Sequence, residues 1–288
     1  MLKPIYFDYN ATTPVDPKVL EAMLPYFWAQ FGNPSSGHAY GLATHAAIEQ
    51  ARGQVAALLG CAPEAIVFTG GGSEADNLAL KGIAEANQER GDHIITFQVE
   101  HPAVLATCRY LERRGIRVTY LPVDQHGQVD PDDVRRAITP ATILITIMHA
   151  NNEVGTLQPL AAIGRIAREH GIPLHTDAAQ SVGKLPTRVD ELGVDLLTVA
   201  GHKLCAPKGV GALFVRRGLR LEPLIHGAGH EGGRRAGTEN VASIVGLGEA
   251  CRLVSESLED EANRLRSLRD RLHERLAAQA SAVHLNGH

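Results

Sequence analysis

Apolar residues fall along this chain in two rhythms. Short β-branched runs occur as IVFT at 66–69, HIIT at 93–96, VTYLP at 118–122, ILITIMH at 143–149, PLHTDAA at 173–179 and LLTVAGH at 196–202. Around them, apolar positions recur every third or fourth residue over 40–59, 73–89, 101–113, 130–138 and 158–170. Several of these stretches open on Ser or Asp and close near Gly60, Gly91, Gly115 and Gly171. The alternation predicts an α/β fold, a mostly parallel sheet lying between helices. A turn bearing Pro207 and Gly209 leads into GVGALFVRR at 209–217, which reads as a seventh strand entering as a hairpin.

A different pattern begins near Asn240. To about Ala278 the sequence is rich in Glu, Leu, Arg and Ala, lacks proline, and carries an apolar stripe through Val241, Ile244, Leu253, Leu265, Leu268 and Leu272. It predicts a long helix leaving the main domain. AVHLNGH then starts a strand-like segment. The division expected is an N-terminal segment over 1–16, a large domain over 17–250, and over 251–288 the long helix with the start of a truncated small domain. The Gly-dense stretch HGAGHEGGRRAGTEN at 226–240 predicts a mobile loop.

Composition narrows the function classes. With 28 basic and 32 acidic residues the formal net charge is -4, and the arginines are dispersed, so no nucleic-acid surface is expected. The apolar runs are too short to span a bilayer and MLKPIYFDYN lacks a signal-peptide core, which predicts a cytoplasmic protein without membrane attachment. Cys61, Cys108, Cys205 and Cys251 are far apart with no CxxC pair, pointing to neither zinc nor disulfides. His226 and His230 have the spacing of helical metal ligands, but the glycines around them argue against a helix, and no metal is expected.

Three stretches carry chemistry. TGGGSEADN at 69–77 sets three glycines after a strand and Ser73 at a helix start, a cradle for a phosphate; Ser73 with Asp76 three residues on equally fits a structural N-cap pattern. Asp177 ends a predicted strand, Gln180 follows, and Gly201-His202-Lys203 ends the next strand, where ligands of such sheets bind. A lysine that forms a Schiff base with an aldehyde cofactor, and a carboxylate against its pyridine nitrogen, are what pyridoxal phosphate (PLP) chemistry needs. Taken singly, Asp177 reads as a helix cap and Lys203 as a solvated lysine. His101 follows a third strand, placed either to stack on a ring and move protons or to cap a helix. Asn151 and Asn152 add amide groups at the same sheet edge.

These blocks, with YFDYNATTPVDP, FGNPSS, EHPAVL, MHANNEVG, AGHKLCAPKGVGAL and GHEGGRRAGTEN in this order, closely resemble the NifS/IscS-like cysteine desulfurases of the class V aminotransferase group. The resemblance covers essentially the whole chain. It implies a PLP fold-type I large domain and conversion of L-cysteine to L-alanine, with the sulfur passed to an enzyme cysteine as a persulfide and then to an iron-sulfur scaffold or other acceptor protein. By the same resemblance Lys203 holds PLP, Asp177 pairs with the ring nitrogen, Gln180 bonds the ring hydroxyl and His101 stacks on the ring. Gly72, Ser73 and His202 hold the phosphate. Asn152 lies near the substrate carboxylate, and Thr238 reaches the phosphate of the neighbouring subunit in a homodimer. A selenocysteine lyase, another class V transaminase-like enzyme, or a non-catalytic PLP-binding partner are the alternatives.

Two positions depart from the family pattern. Ala200 stands where relatives usually carry a phosphate-binding serine. None of the four cysteines matches the persulfide-forming one, which relatives carry on a loop of the C-terminal small domain. Cys205, two residues from Lys203, occupies a packing position in relatives.

Overall fold

The computed structural model describes residues 4–287. Strands β1 (Ile66–Thr69), β2 (His93–Phe97), β3 (Arg117–Leu121), β4 (Thr142–Thr146), β5 (Leu174–Asp177), β6 (Leu196–Ala200) and β7 (Gly211–Val215) form a single sheet in the order β1-β7-β6-β5-β4-β2-β3. β7 runs antiparallel to both neighbours, and the other pairings are parallel. The expected mostly parallel seven-stranded sheet and its closing hairpin are both present.

Side-chain alternation along the strands feeds two cores. Ile66 and Phe68, Ile95 and Phe97, and Leu197 and Val199 face one side. Val67, Ile94 and Leu196 face the other. The first face is covered by α1 (Pro17–Met23), followed by the single turn α2 (Pro25–Trp28), and by α3 (Ala39–Leu59). The second face is covered by α4 (Gly72–Ala86) and α5 (Pro102–Glu112). Helices α6 (Pro131–Ala137), α7 (Leu160–Glu169) and α8 (Val189–Leu192) return to the first layer, as does the start of α9 (Val241–Gln279). Termini follow local chemistry: Asp16 and Asp130 cap α1 and α6, and α3 stops at Gly60, whose φ of 68° suits a residue without a Cβ.

α9 is the long helix anticipated. Its first turns are buried through Ala242, Ile244, Leu247 and Cys251, and they approach so closely that a Cβ on Gly248 would lie 2.6 Å from the Cα of Ala51 in α3. Beyond about residue 255 it is mostly exposed, including Leu265, Leu268, Leu272 and Leu276. The strand expected after it is absent: residues 281–287 have no partner strand and form no ladder.

The glycine-dense loop is held down, against the mobility expected from its composition. Glu231, with its side chain 2% exposed, accepts hydrogen bonds from both Arg52 terminal nitrogens at 2.8 and 2.9 Å and from the Phe68 backbone N–H at 2.8 Å. Arg235 pairs with Glu74 at 2.8 Å. Glycine supplies the conformational freedom, but buried ion pairs with hydrogen-bonded partners fix the outcome.

Candidate functional site

The carboxyl ends of β1, β2, β4, β5 and β6 surround a cavity of about 640 Å³. Its position is the one open α/β sheets offer to ligands. Of the residues singled out from sequence, Gly72, Ser73, His101, Asn152, Asp177, Gln180, His202 and Lys203 all line it. Thr238 does not; it is exposed on the loop after the short 3-10 turn His230–Gly233.

One end of the cavity is the first turn of α4. Its N-cap is Gly71, at φ 143°, and no side chain caps it, so the leading N–H groups are directed at whatever lies in the cavity. Ser73 is inside the helix and Asp76 is buried in the core, so the N-cap pattern read from these two residues is not what the fold uses. A Cβ on Gly72 would come within 3.1 Å of the Ala200 Cβ, and one on Gly211 within 2.7 Å of the Gly71 backbone. Backbone and glycine thus shape a cradle into which side chains do not intrude.

Another part of the lining is acidic and buried. Asp177, at the end of β5, accepts the Ala179 N–H at 2.9 Å. Burial raises its pKa, while that N–H, His101 and Lys203 work against the rise. Carboxyl oxygens of Asp177 and Asp76 and a ring nitrogen of His101 lie within 4.8 Å of one another. His101 caps α5, its Nδ1 accepting the Ala103 N–H at 3.1 Å, so its capping and site-facing readings hold together.

Lys203 follows β6 in the short 3-10 turn Gly201–Lys203. Burial lowers its pKa, with Asp177 and Asp8 opposing. Its Nζ donates to the Asn10 carbonyl, which also accepts from Gln180 Nε2 at 3.0 Å. The Asn10 amide in turn donates to the Asn152 carbonyl at 2.6 Å, and His202 Nδ1 lies 3.1 Å from the Thr12 hydroxyl. The N-terminal segment is therefore part of the site. Sequence reading missed it, although DYNATTP was visible as a block, because no periodicity assigns a role to a segment whose partners lie about 190 residues away. Lys184 was missed too. It donates to Gln180 Oε1 at 2.7 Å, and burial with Lys203 nearby brings its pKa down to about 8.

Three of the four thiols are poor nucleophiles by comparison. Burial pushes Cys61 up to about 11 and Cys108 and Cys251 up to about 12. Cys205, at φ 61°, is tied by its backbone to Thr13 and Asp16. None of the four lines the cavity.

An uncapped helix start, a lysine amine and a buried carboxylate are spaced around one cavity, and they fit the phosphate, aldehyde and ring nitrogen of PLP respectively. Comparison with known proteins agrees. The aminotransferase class-V family model matches residues 5–287. The chain is 50% identical over its full length to the cysteine desulfurase IscS of Dictyoglomus turgidum, covering 73% of that protein. It is 52% identical over 99% of its length to the IscS of Methanosarcina thermophila, covering 70% of it. Among solved structures, a NifS-like protein superposes with a TM-score of 0.93 at 41% identity, over 96% of this chain and 76% of the other. The structure described as SspA in complex with cysteine gives 0.84 at 50% identity, over 86% of this chain and 72% of that one.

Proposed function

The chain belongs to the class-V aminotransferase family, and from that premise we infer that it is a PLP-dependent cysteine desulfurase, releasing L-alanine and sulfur from L-cysteine. The observation that carries this reading is the cavity in which Lys203, Asp177 and the α4 cradle converge.

When bound, PLP supplies an electron sink that lets the substrate Cα lose its proton. The chain's residues have these roles in the proposal. Lys203 presents Nζ to the cofactor aldehyde, and its lowered pKa favours the neutral, nucleophilic amine. With PLP and substrate bound, the same Nζ would serve as the base at the substrate Cα. Asp177 holds the proton on the ring nitrogen. Gln180, held through Oε1 by Lys184 and through Nε2 by the Asn10 carbonyl, would hydrogen-bond the ring hydroxyl. His101 would stack on the ring and move protons. Gly72, Ser73 and His202 hold the phosphate, and Asn152 the substrate carboxylate.

Cys205 has no part in sulfur transfer on this account, and the acceptor thiol lies outside the four cysteines of these 288 residues. Cys205→Ser is expected to leave alanine formation, measured with an added thiol, within about twofold of the parent. A loss beyond tenfold returns Cys205 to the mechanism.

Ala200 gives a second expectation. A serine hydroxyl there adds one charge-assisted hydrogen bond to the phosphate, worth roughly 1.5–3 kcal/mol. Ala200→Ser should therefore lower the PLP Kd at least about tenfold. An unchanged Kd in equilibrium dialysis removes Ala200 from phosphate binding.

A cytoplasmic homodimer that passes sulfur to an iron-sulfur scaffold completes the proposal. Large apolar side chains exposed near the N-terminus, Ile5, Phe7, Phe27, Trp28 and Phe31, and the exposed Thr238 support pairing with a second subunit. No helix among the described residues is long and apolar enough to cross a membrane. Loss of the phosphate contact in Thr238→Ala, read as a weaker PLP Kd in the dimer only, tests the shared site.

A further inference from the structure

Asp76 is the one buried acid of the site that the proposed reaction does not use. It projects from α4, is 1% exposed, and its Oδ1 has no hydrogen-bond partner. Its other contact is the Thr198 hydroxyl on β6. Thr198 Oγ1 lies 3.1 Å from His175 Nε2, and His175 Nδ1 lies 2.8 Å from Thr146 Oγ1. A polar chain Thr146–His175–Thr198–Asp76 thus runs through β4, β5 and β6 and reaches the cavity wall at Asp76, within 4.8 Å of an Asp177 oxygen.

The charges facing this chain come from several elements. His175, on β5, approaches Asp76 Oδ1 at 3.7 Å, but burial takes its pKa down to about 3, so at neutral pH it is an uncharged ring and no counter-ion. Glu100, just before α5, is a third buried acid, and burial, with Asp177 nearby, raises its own pKa. Burial raises the pKa of Asp177, but Lys203 and His101 both lower it, as does the Ala179 N–H it accepts. Two carboxyl groups this close and this dry do not both ionise, and the member with the more hydrogen-bond and charge support takes the charge. That member is Asp177. Burial and the neighbouring Asp177 both raise the pKa of Asp76.

We propose that Asp76 is a positioning residue: a neutral carboxylic acid beside Asp177 whose polar contact keeps the negative charge of the pair on Asp177, toward the cofactor ring nitrogen. The proton resides on the unpartnered Oδ1, and the Thr198 hydroxyl donates to Oδ2. Nothing is transferred during turnover; the device sets which of two acids is the anion. The proposal rests on Asp177 being the ring-nitrogen partner.

The test compares Asp76→Leu and Asp76→Asn in the holoenzyme, reading the PLP Kd and the pH profile of the bound-cofactor absorbance. Leucine removes the polar contact and destabilises the Asp177 anion. The Kd should rise about tenfold and the ring nitrogen should lose its proton at lower pH, by about one unit. Asparagine, neutral and polar, should restore both to within about threefold and a few tenths of a unit. If asparagine fails like leucine, Asp76 is an anion and the proposal is wrong. If leucine is harmless, Asp76 has no polar role and the proposal is equally wrong. Should the leucine variant not fold, isotope-edited infrared spectra of the parent and Asp76→Asn at neutral pH decide: loss of a protonated-carboxyl band supports the proposal, and loss of a carboxylate band overturns it. Asp177→Asn separates the underlying reading, because an unchanged PLP Kd there sinks the role of Asp177 whatever Asp76 does.

Discussion

Lys203→Ala is expected to slow solvent exchange of the substrate α-hydrogen by about 10³-fold, in the middle of the range seen when a positioned proton-transfer group is removed. The same change should abolish covalent capture of PLP by borohydride, detected as a mass increase in the parent and none in the variant. The reasoning follows from placement. The lysine is anchored in a short turn directly after β6, its amine enters the cavity beside Asp177, and burial favours the neutral form that attacks an aldehyde. The sign can be checked independently. Because the lysine pKa is lowered, the rate of PLP attachment should reach its plateau at a lower pH than for a solvated lysine. Lys184 sits close enough to interact with Lys203 and has its own lowered pKa, so residual capture in Lys203→Ala would mean that Lys184 is the reactive amine.

Asp177→Asn should weaken PLP binding by at least about 10²-fold, since removing one partner of a buried charge pair costs roughly 3–5 kcal/mol. The side chain is 5% exposed, so water does not substitute for it. The amide keeps the shape and the bond to the Ala179 N–H, which isolates the charge as the variable. A Kd within threefold of the parent would dissociate Asp177 from the ring nitrogen. Fold stability should change little or even rise, because burial of this carboxylate raises its pKa and opposes folding of the charged form.

How far the sequence discloses this site depends on distance along the chain. Asp177 and Lys203 are legible because each terminates an apolar run, and strand ends are where such sheets bind ligands. Gly72 and Ser73 are legible for the same reason. Asn10 is not: its partners Gln180 and Lys203 lie 170 and 193 residues away, and no local pattern marks it. Asp76 misleads, since three residues after Ser73 it imitates a capping motif while the helix in fact starts on Gly71 and turns Asp76 inward. The loop at 226–240 misleads in the opposite direction, because glycine content reports freedom of the isolated chain, whereas Glu231 is fixed by Arg52 from α3. Strand order also lies beyond local pattern. Periodicity yields seven strands, but their arrangement comes from packing two apolar faces at once.

The long helix has a mechanical meaning. α9 is clamped at its base, where Gly248 lets it lie directly on Ala51, and is mostly exposed from about residue 255 to Gln279. At 1.5 Å per residue that arm extends roughly 37 Å, so one degree of tilt at the base displaces its tip by about 0.6 Å. It is a lever whose fulcrum belongs to the same core that supports the cofactor strands. A methyl group added at the Gly248 fulcrum would therefore be felt most strongly at the far end of the arm.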